Sequence, residues 1–238
     1  MIRFSLFGIP VEIQPFFWVV TALLGGAINA DSREDFLAVT LFMMAAFVSI
    51  LIHELGHALT GRKLGGGYSS ILLHSMGGLA MNQGGRLTRH QRFLMIAAGP
   101  GAGFAFLLVI LALLSTLFGI QNVIAFAGGK LFNLRLQFSD YALIDFFRAK
   151  PFIYELVAQL IWINFWWGII NLLPVMPLDG GQITNLYVRP QHRVHFIGMI
   201  AAGTMAVFGL LKLNSPYMAI LFGYFAWQNY QEMKANGG

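Results

Sequence analysis

The sequence predicts an all-α polytopic membrane protein of about six transmembrane helices, with a short β-hairpin or re-entrant segment after the second. One domain is expected to span residues 1–238. Three observations lead there. Hydrophobic residues make up 57% of the chain and charged residues 11%, too apolar a balance for an ordinary soluble globule. Residues 13–30, 36–52, 93–129 and 156–178 carry no Asp, Glu, Lys or Arg. A spanning helix needs ~20 mostly apolar residues, and backbone facing lipid has to satisfy its own hydrogen bonds, which selects helices. Finally, glycines bracket two short runs around Gly77-Gly78 in "GGYSSILLHSMGGLAMNQGG", residues 66–85, a pattern of strand, turn and strand.

The spans are placed near residues 14–29, 36–61, 92–118, 154–173, 194–212 and 216–230. Gln228 and Asn229 shorten the last. The N-terminus makes a poor signal peptide, with Arg3 its only early cation and Glu12 just before the apolar run, so the first span is expected to be retained. Basic residues favour a cytoplasmic N-terminus, chiefly because Arg62, Lys63, Arg86, Arg89 and Arg92 then lie inside. In that orientation spans 2 and 4 both end on the cytoplasmic side. A net charge of +5 suits contact with anionic lipid headgroups, whereas scattered basic residues argue against nucleic acid. Without cysteine the chain has neither disulfides nor thiol chemistry.

Inside the second span stands "SILIHELGHALTG", residues 49–61. His53 and His57 are four apart, so on a helix both imidazoles share one face. Glu54 sits about 100° round from His53. Two neutral imidazoles with a carboxylate alongside suit zinc, the carboxylate being free to take a proton from water. Ionisable groups within a membrane are costly and usually functional. Catalytic zinc has three protein ligands and one open position. The strongest third candidate is Asp179 in "NLLPVMPLDGG", residues 171–181, directly after span 4. Pro174 and Pro177 break the helix there. Taken alone, that stretch also reads as an ordinary exit from a span.

"HELGH" in a hydrophobic helix, followed by "NLLPVMPLDGG", resembles the site-2 proteases, intramembrane zinc metalloproteases. "AAGPGAGFAF" at 97–106 and the opening "GIPVEIQP" add to the resemblance. It implies one metalloprotease domain with no PDZ or CBS module appended. It implies one zinc ion on His53, His57 and Asp179, Glu54 as catalytic base, and Asn171 as a residue that polarises substrate or stabilises an oxyanion. Gly103 and Gln14 stand where relatives often carry Asn and His. Neither serine-protease nor aspartyl-protease intramembrane motifs occur. The implied substrates are single-span membrane proteins or signal-peptide remnants, cut near the cytoplasmic face of a prokaryotic inner membrane. The alternative is a catalytically silent zinc-binding scaffold, against which the intact Glu54 argues.

The remaining candidates read more plainly. His74 is expected to line the hairpin, His192 and His195 to sit at the interface near span 5, and His90 to share a headgroup-facing patch with Arg86, Arg89 and Arg92. Gly99, Gly101 and Gly103 read as helix-packing positions. The hairpin of 66–85 could bind extended peptide by strand addition, or simply connect two spans. Residues 119–153 mix aromatics with Lys130, Arg135, Arg148 and Lys150, as suits an interface-lying segment.

Overall fold

The computed structural model describes residues 1–65 and 67–237. Gly66, the first residue of the predicted hairpin segment, lies outside them. The chain divides into two compact units, one built from residues 1–87 and 98–168, the other from 88–97 and 169–238.

The first unit opens with strands β1 (Ile2–Leu6) and β2 (Ile9–Ile13), followed by helices α1 (Pro15–Leu24) and α2 (Arg33–Lys63). Strands β3 (Gly67–His74) and β4 (Gly77–Gly84) come next, forming the expected hairpin. They join the first pair in one sheet of order β1-β2-β3-β4. The β1–β2 turn places Phe7 and Gly8 at φ 51° and 72°, the left-handed pair that a two-residue hairpin loop uses. Strand β2 runs parallel to β3, with Val11 opposite Ile71 and Ile13 opposite Leu73. Alternate residues Ile9, Val11 and Ile13 point inward. With Ile71 and Leu73 they bury against Phe17 of α1 and Ile50, Leu51, Leu55 and Ala58 of α2. The sheet therefore lies along the stretch of α2 that carries the histidines.

Helix α2 has clear start and stop signals. The Ser32 hydroxyl accepts from the Asp35 amide at 3.1 Å, and the Asp35 carboxylate accepts from the Ser32 amide at 3.1 Å, closing a capping box. Glu34 and Asp35 occupy the first turn and Arg62 and Lys63 the last, each sign where the helix dipole favours it. Below the cap, Ala45 and Ala46 pack on Ile163 of helix α6 (Pro151–Asn171). The Asn164 amide donates to the Ser49 hydroxyl at 2.8 Å, one turn before His53. At the far end, Arg62 donates to the Phe7 carbonyl at 2.9 Å, tying the β1–β2 turn to α2.

Helix α3 (Arg89–Phe118) is followed by α4 (Ile120–Phe132) and α5 (Ala142–Ala149). A second core in this unit joins Leu107 and Leu114 of α3, Val123 and Phe126 of α4, Leu143 and Phe147 of α5, and Ala158 and Ile161 of α6.

The second unit contains α7 (Asp179–Tyr187), α8 (Gln191–Leu211) and α9 (Pro216–Ala235). Val175, Ala202, Phe222 and Phe225 form its core, with α8 and α9 making a helical hairpin.

Among the described residues, four helices are long and apolar enough to cross a membrane: α2, α3, α6 and α8. They match four of the six predicted spans. The first predicted span falls on α1, which has 10 residues and reaches ~15 Å, about half the hydrocarbon thickness. Gly25 and Gly26, the latter at φ 93°, end it early. The last falls on α9, a 20-residue helix whose second half carries Gln228, Asn229, Gln231, Glu232 and Lys234 and so falls short of the apolar run required.

Replacing Ser32 by Ala removes one half of the capping box and should cost about 1 kcal/mol. A lower midpoint in detergent thermal unfolding, with unchanged helical circular dichroism at 20 °C, checks it.

Candidate metal centre

Within α2, His53, Glu54 and His57 are all buried. The two Nε2 atoms lie 3.1 Å apart, with ring planes at 80° and centroids 4.8 Å apart. The predicted spacing has thus brought both imidazoles to one point. Two nitrogens bound to one tetrahedral zinc at ~2.1 Å each stand about 3.4 Å apart, so the pair needs only a slight opening to accept the ion. The donor chemistry is also right, because neutral imidazole is a preferred zinc ligand.

Two glycines of the same unit make room for these side chains. A Cβ at Gly78, the second residue of β4, would collide with the Glu54 side chain. A Cβ at Gly99 in α3 would collide with the His57 ring. The first lets the hairpin press against the glutamate, and the second lets α3 close over the histidine. Reading Gly77-Gly78 only as turn residues and Gly99 only as helix packing missed this. The available signal was the short side chain itself at positions following an ionisable motif, which no local pattern distinguishes from ordinary packing. Ser69 of β3 further fixes the hairpin to α2. Its hydroxyl lies 3.2 Å from the Ala58 carbonyl and 2.6 Å from the Asn82 side-chain oxygen.

In the second unit, Asp179 is buried and is the first residue of α7. The loop before it turns tightly: the Val175 amide donates to the Leu173 carbonyl at 2.7 Å, and the Leu178 amide to the Val175 carbonyl at 2.7 Å. Gly180 and Gly181 pack directly on the backbone of Leu172 and Val175. Asn229 of α9 holds that loop. It is 1% exposed, and its side-chain amide donates to the Met176 carbonyl at 2.8 Å and to the Phe225 carbonyl at 2.8 Å. Its oxygen lies 3.4 Å from His195 Nδ1. The residue expected merely to shorten a span is thus the brace of the aspartate loop, and His195 joins it rather than pairing with His192. Asn171, the last residue of α6, is also buried.

Of the predicted ligand set, His53 and His57 lie in the first unit and Asp179 in the second, and all three are buried. His74 is not among them. Its Nδ1 accepts from the Met76 amide at 3.3 Å and caps the hairpin turn. His90 stacks on Phe93, ring centroids 6.5 Å apart.

Four helices apolar and long enough to span a membrane, one of them carrying a buried histidine-glutamate motif of zinc-ligand type, mark an integral membrane protein with metallopeptidase features. The model of peptidase family M50 matches residues 41–211, and the chain belongs to that family. A zinc metalloprotease of Methanocaldococcus jannaschii is 29% identical over 93% of this chain and 58% of its own length. Stage IV sporulation protein FB of Bacillus subtilis is 24% identical over 76% of this chain and 48% of its own. The chain therefore spans about half the length of these curated relatives. The solved site-2 protease from Methanocaldococcus jannaschii shares the fold, with a TM-score of 0.55 and 24% identity. That match covers 98% of this chain and 94% of the solved one.

Gly99→Ala should push the His57 ring aside without substituting any of the proposed ligand residues. Zinc retained after dialysis is expected to fall about tenfold or more, as for loss of a group that orients a ligand. Inductively coupled plasma analysis of the purified, folded variant measures it.

Proposed function

We propose that this protein is an intramembrane zinc metalloendopeptidase, a single domain that hydrolyses a peptide bond in or near the transmembrane segment of a membrane-anchored substrate. The observation that carries the reading is the pair of buried imidazoles on α2, their Nε2 atoms 3.1 Å apart, with buried Glu54 beside them. Family membership and the zinc metalloprotease relative support it.

His53, His57 and Asp179 would hold one zinc ion. The chemistry a bound zinc supplies is polarisation of a carbonyl and acidification of a water toward a pKa of ~7. Glu54 accepts the proton of the attacking water at its carboxylate and returns one to the departing amine. Burial among apolar side chains keeps competing water away and strengthens the electrostatics of each proton transfer. Asn171 would donate its side-chain amide to the scissile carbonyl or to the oxyanion that develops there.

A transmembrane helix hides its carbonyls in its own hydrogen bonds, so the substrate has to unwind. Strand β4 is at one edge of the sheet and Gly78 within it touches Glu54. An extended peptide added along that edge would run past the base, its backbone hydrogen bonds replacing those lost on unwinding. The substrates would be single-span proteins or signal-peptide remnants. The site would open toward the cytoplasm of a prokaryotic cell, as the basic residues after α2 favour.

The test uses purified full-length protein with a model transmembrane substrate in detergent. Glu54→Gln should lower cleavage by 10²–10⁴-fold while zinc stays bound, and a zinc chelator should abolish cleavage. Cleavage that survives both changes would reject the proposal. A zinc-loaded wild type inert toward every membrane substrate would favour the silent scaffold.

A further inference from the structure

The segment between α3 and α6 contains a cavity that the proteolytic chemistry does not use. It measures about 510 Å³ and is walled by Phe126 of α4, Leu134 of the following loop and Phe147 of α5, among others. Three cations, Lys130, Arg135 and Arg148, stand in its lining, and no carboxylate does. Lys130 Nζ lies 4.4 Å from the centre of the Tyr154 ring, which holds the ammonium at the cavity wall. Arg148 is 3.5 Å from Asp145, with both side chains exposed, a contact that salt and water weaken. On α4 and the loop after it, Ile120, Ile124, Phe132, Leu134 and Leu136 are exposed.

We propose that this cavity binds one anionic phospholipid of the surrounding bilayer, its headgroup phosphate on Lys130, Arg135 and Arg148 and an acyl chain along the aromatic wall. Charge complementarity selects an anion, since the described lining holds three cations and no carboxylate, and the one nearby acid, Asp145, is exposed. The exposed large apolar side chains select lipid over a soluble phosphate. They would be poorly placed in water and are well placed at the level of headgroups and upper acyl chains. The volume suits part of one lipid rather than a folded partner. Such a lipid would anchor the α4–α5 segment to the membrane face independently of catalysis.

Native mass spectrometry of the full-length protein in neutral detergent tests the proposal. Phosphatidylglycerol and phosphatidylcholine of identical chains are titrated separately. Wild type should retain one phosphatidylglycerol preferentially. A basic side chain near an anionic lipid is worth about fivefold, so K130Q/R135Q/R148Q should bind it on the order of a hundredfold more weakly. R33Q/R193Q/K234Q, which removes three exposed charges elsewhere, should bind as wild type, and millimolar inorganic phosphate should not displace the lipid. If the triple variant loses helical circular dichroism, the three single variants carry the test, each expected to lose about fivefold. Equal loading of the two lipids overturns the proposal. So does unchanged binding in the cavity variants, an equal loss in the control variant, or displacement by phosphate or a soluble acidic peptide.

Discussion

The cost of burying ionisable groups in a hydrocarbon-length helix governs this structure. Helix α2 buries His53, Glu54 and His57, where an uncompensated charge would be expelled or neutralised. The proposed metal ion would resolve the conflict by giving two imidazole lone pairs a shared partner. The short approach between their Nε2 atoms otherwise requires one ring to present N–H to the lone pair of the other. A soluble enzyme can leave such groups to water. Here the fold has to enclose them, and much of the architecture around α2 does so.

The enclosure uses absence of side chain as much as presence. Gly78 brings the edge of the hairpin onto Glu54 and Gly99 brings α3 onto His57. Small residues let helices approach closely in membranes, and at these positions the approach is to the buried side chains of Glu54 and His57 rather than to another backbone. The sheet, clasped to α2 by the core around Ile71 and Leu73 and by Ser69 and Arg62, then sets where an extended strand can lie. In the second unit the same economy recurs. Asn229 satisfies a turn carbonyl within a loop broken by prolines, which would otherwise leave buried backbone acceptors unpaired.

Much of this was legible in the sequence because it is local. The four-residue spacing of His53 and His57 needs only helical geometry, and the β3–β4 hairpin needs only its glycines. The break at Pro174 and Pro177 is likewise read within a few residues. What escaped is non-local. Strand β2 pairs in parallel with β3 about sixty residues away. Such pairing leaves no short-range signal beyond alternation of Ile9, Val11 and Ile13. The Asn229–His195 contact joins different helices. Its partners were read one helix at a time, as a polar interruption and an interfacial pair. The short α1 was overestimated because an uncharged run does not reveal where two glycines will stop a helix.

The central proposal is that two imidazoles of α2 and the carboxylate of Asp179 would hold one zinc ion. X-ray absorption at the zinc edge, on purified wild type and on Asp179→Asn, tests it most directly. One zinc per chain with two imidazole nitrogens and oxygen donors at ~2.0–2.2 Å is expected in wild type. The aspartate variant should show weakened retention and a changed oxygen shell. A wild-type spectrum without imidazole scattering, or one that Asp179→Asn leaves unaltered in both occupancy and shell, would contradict the account.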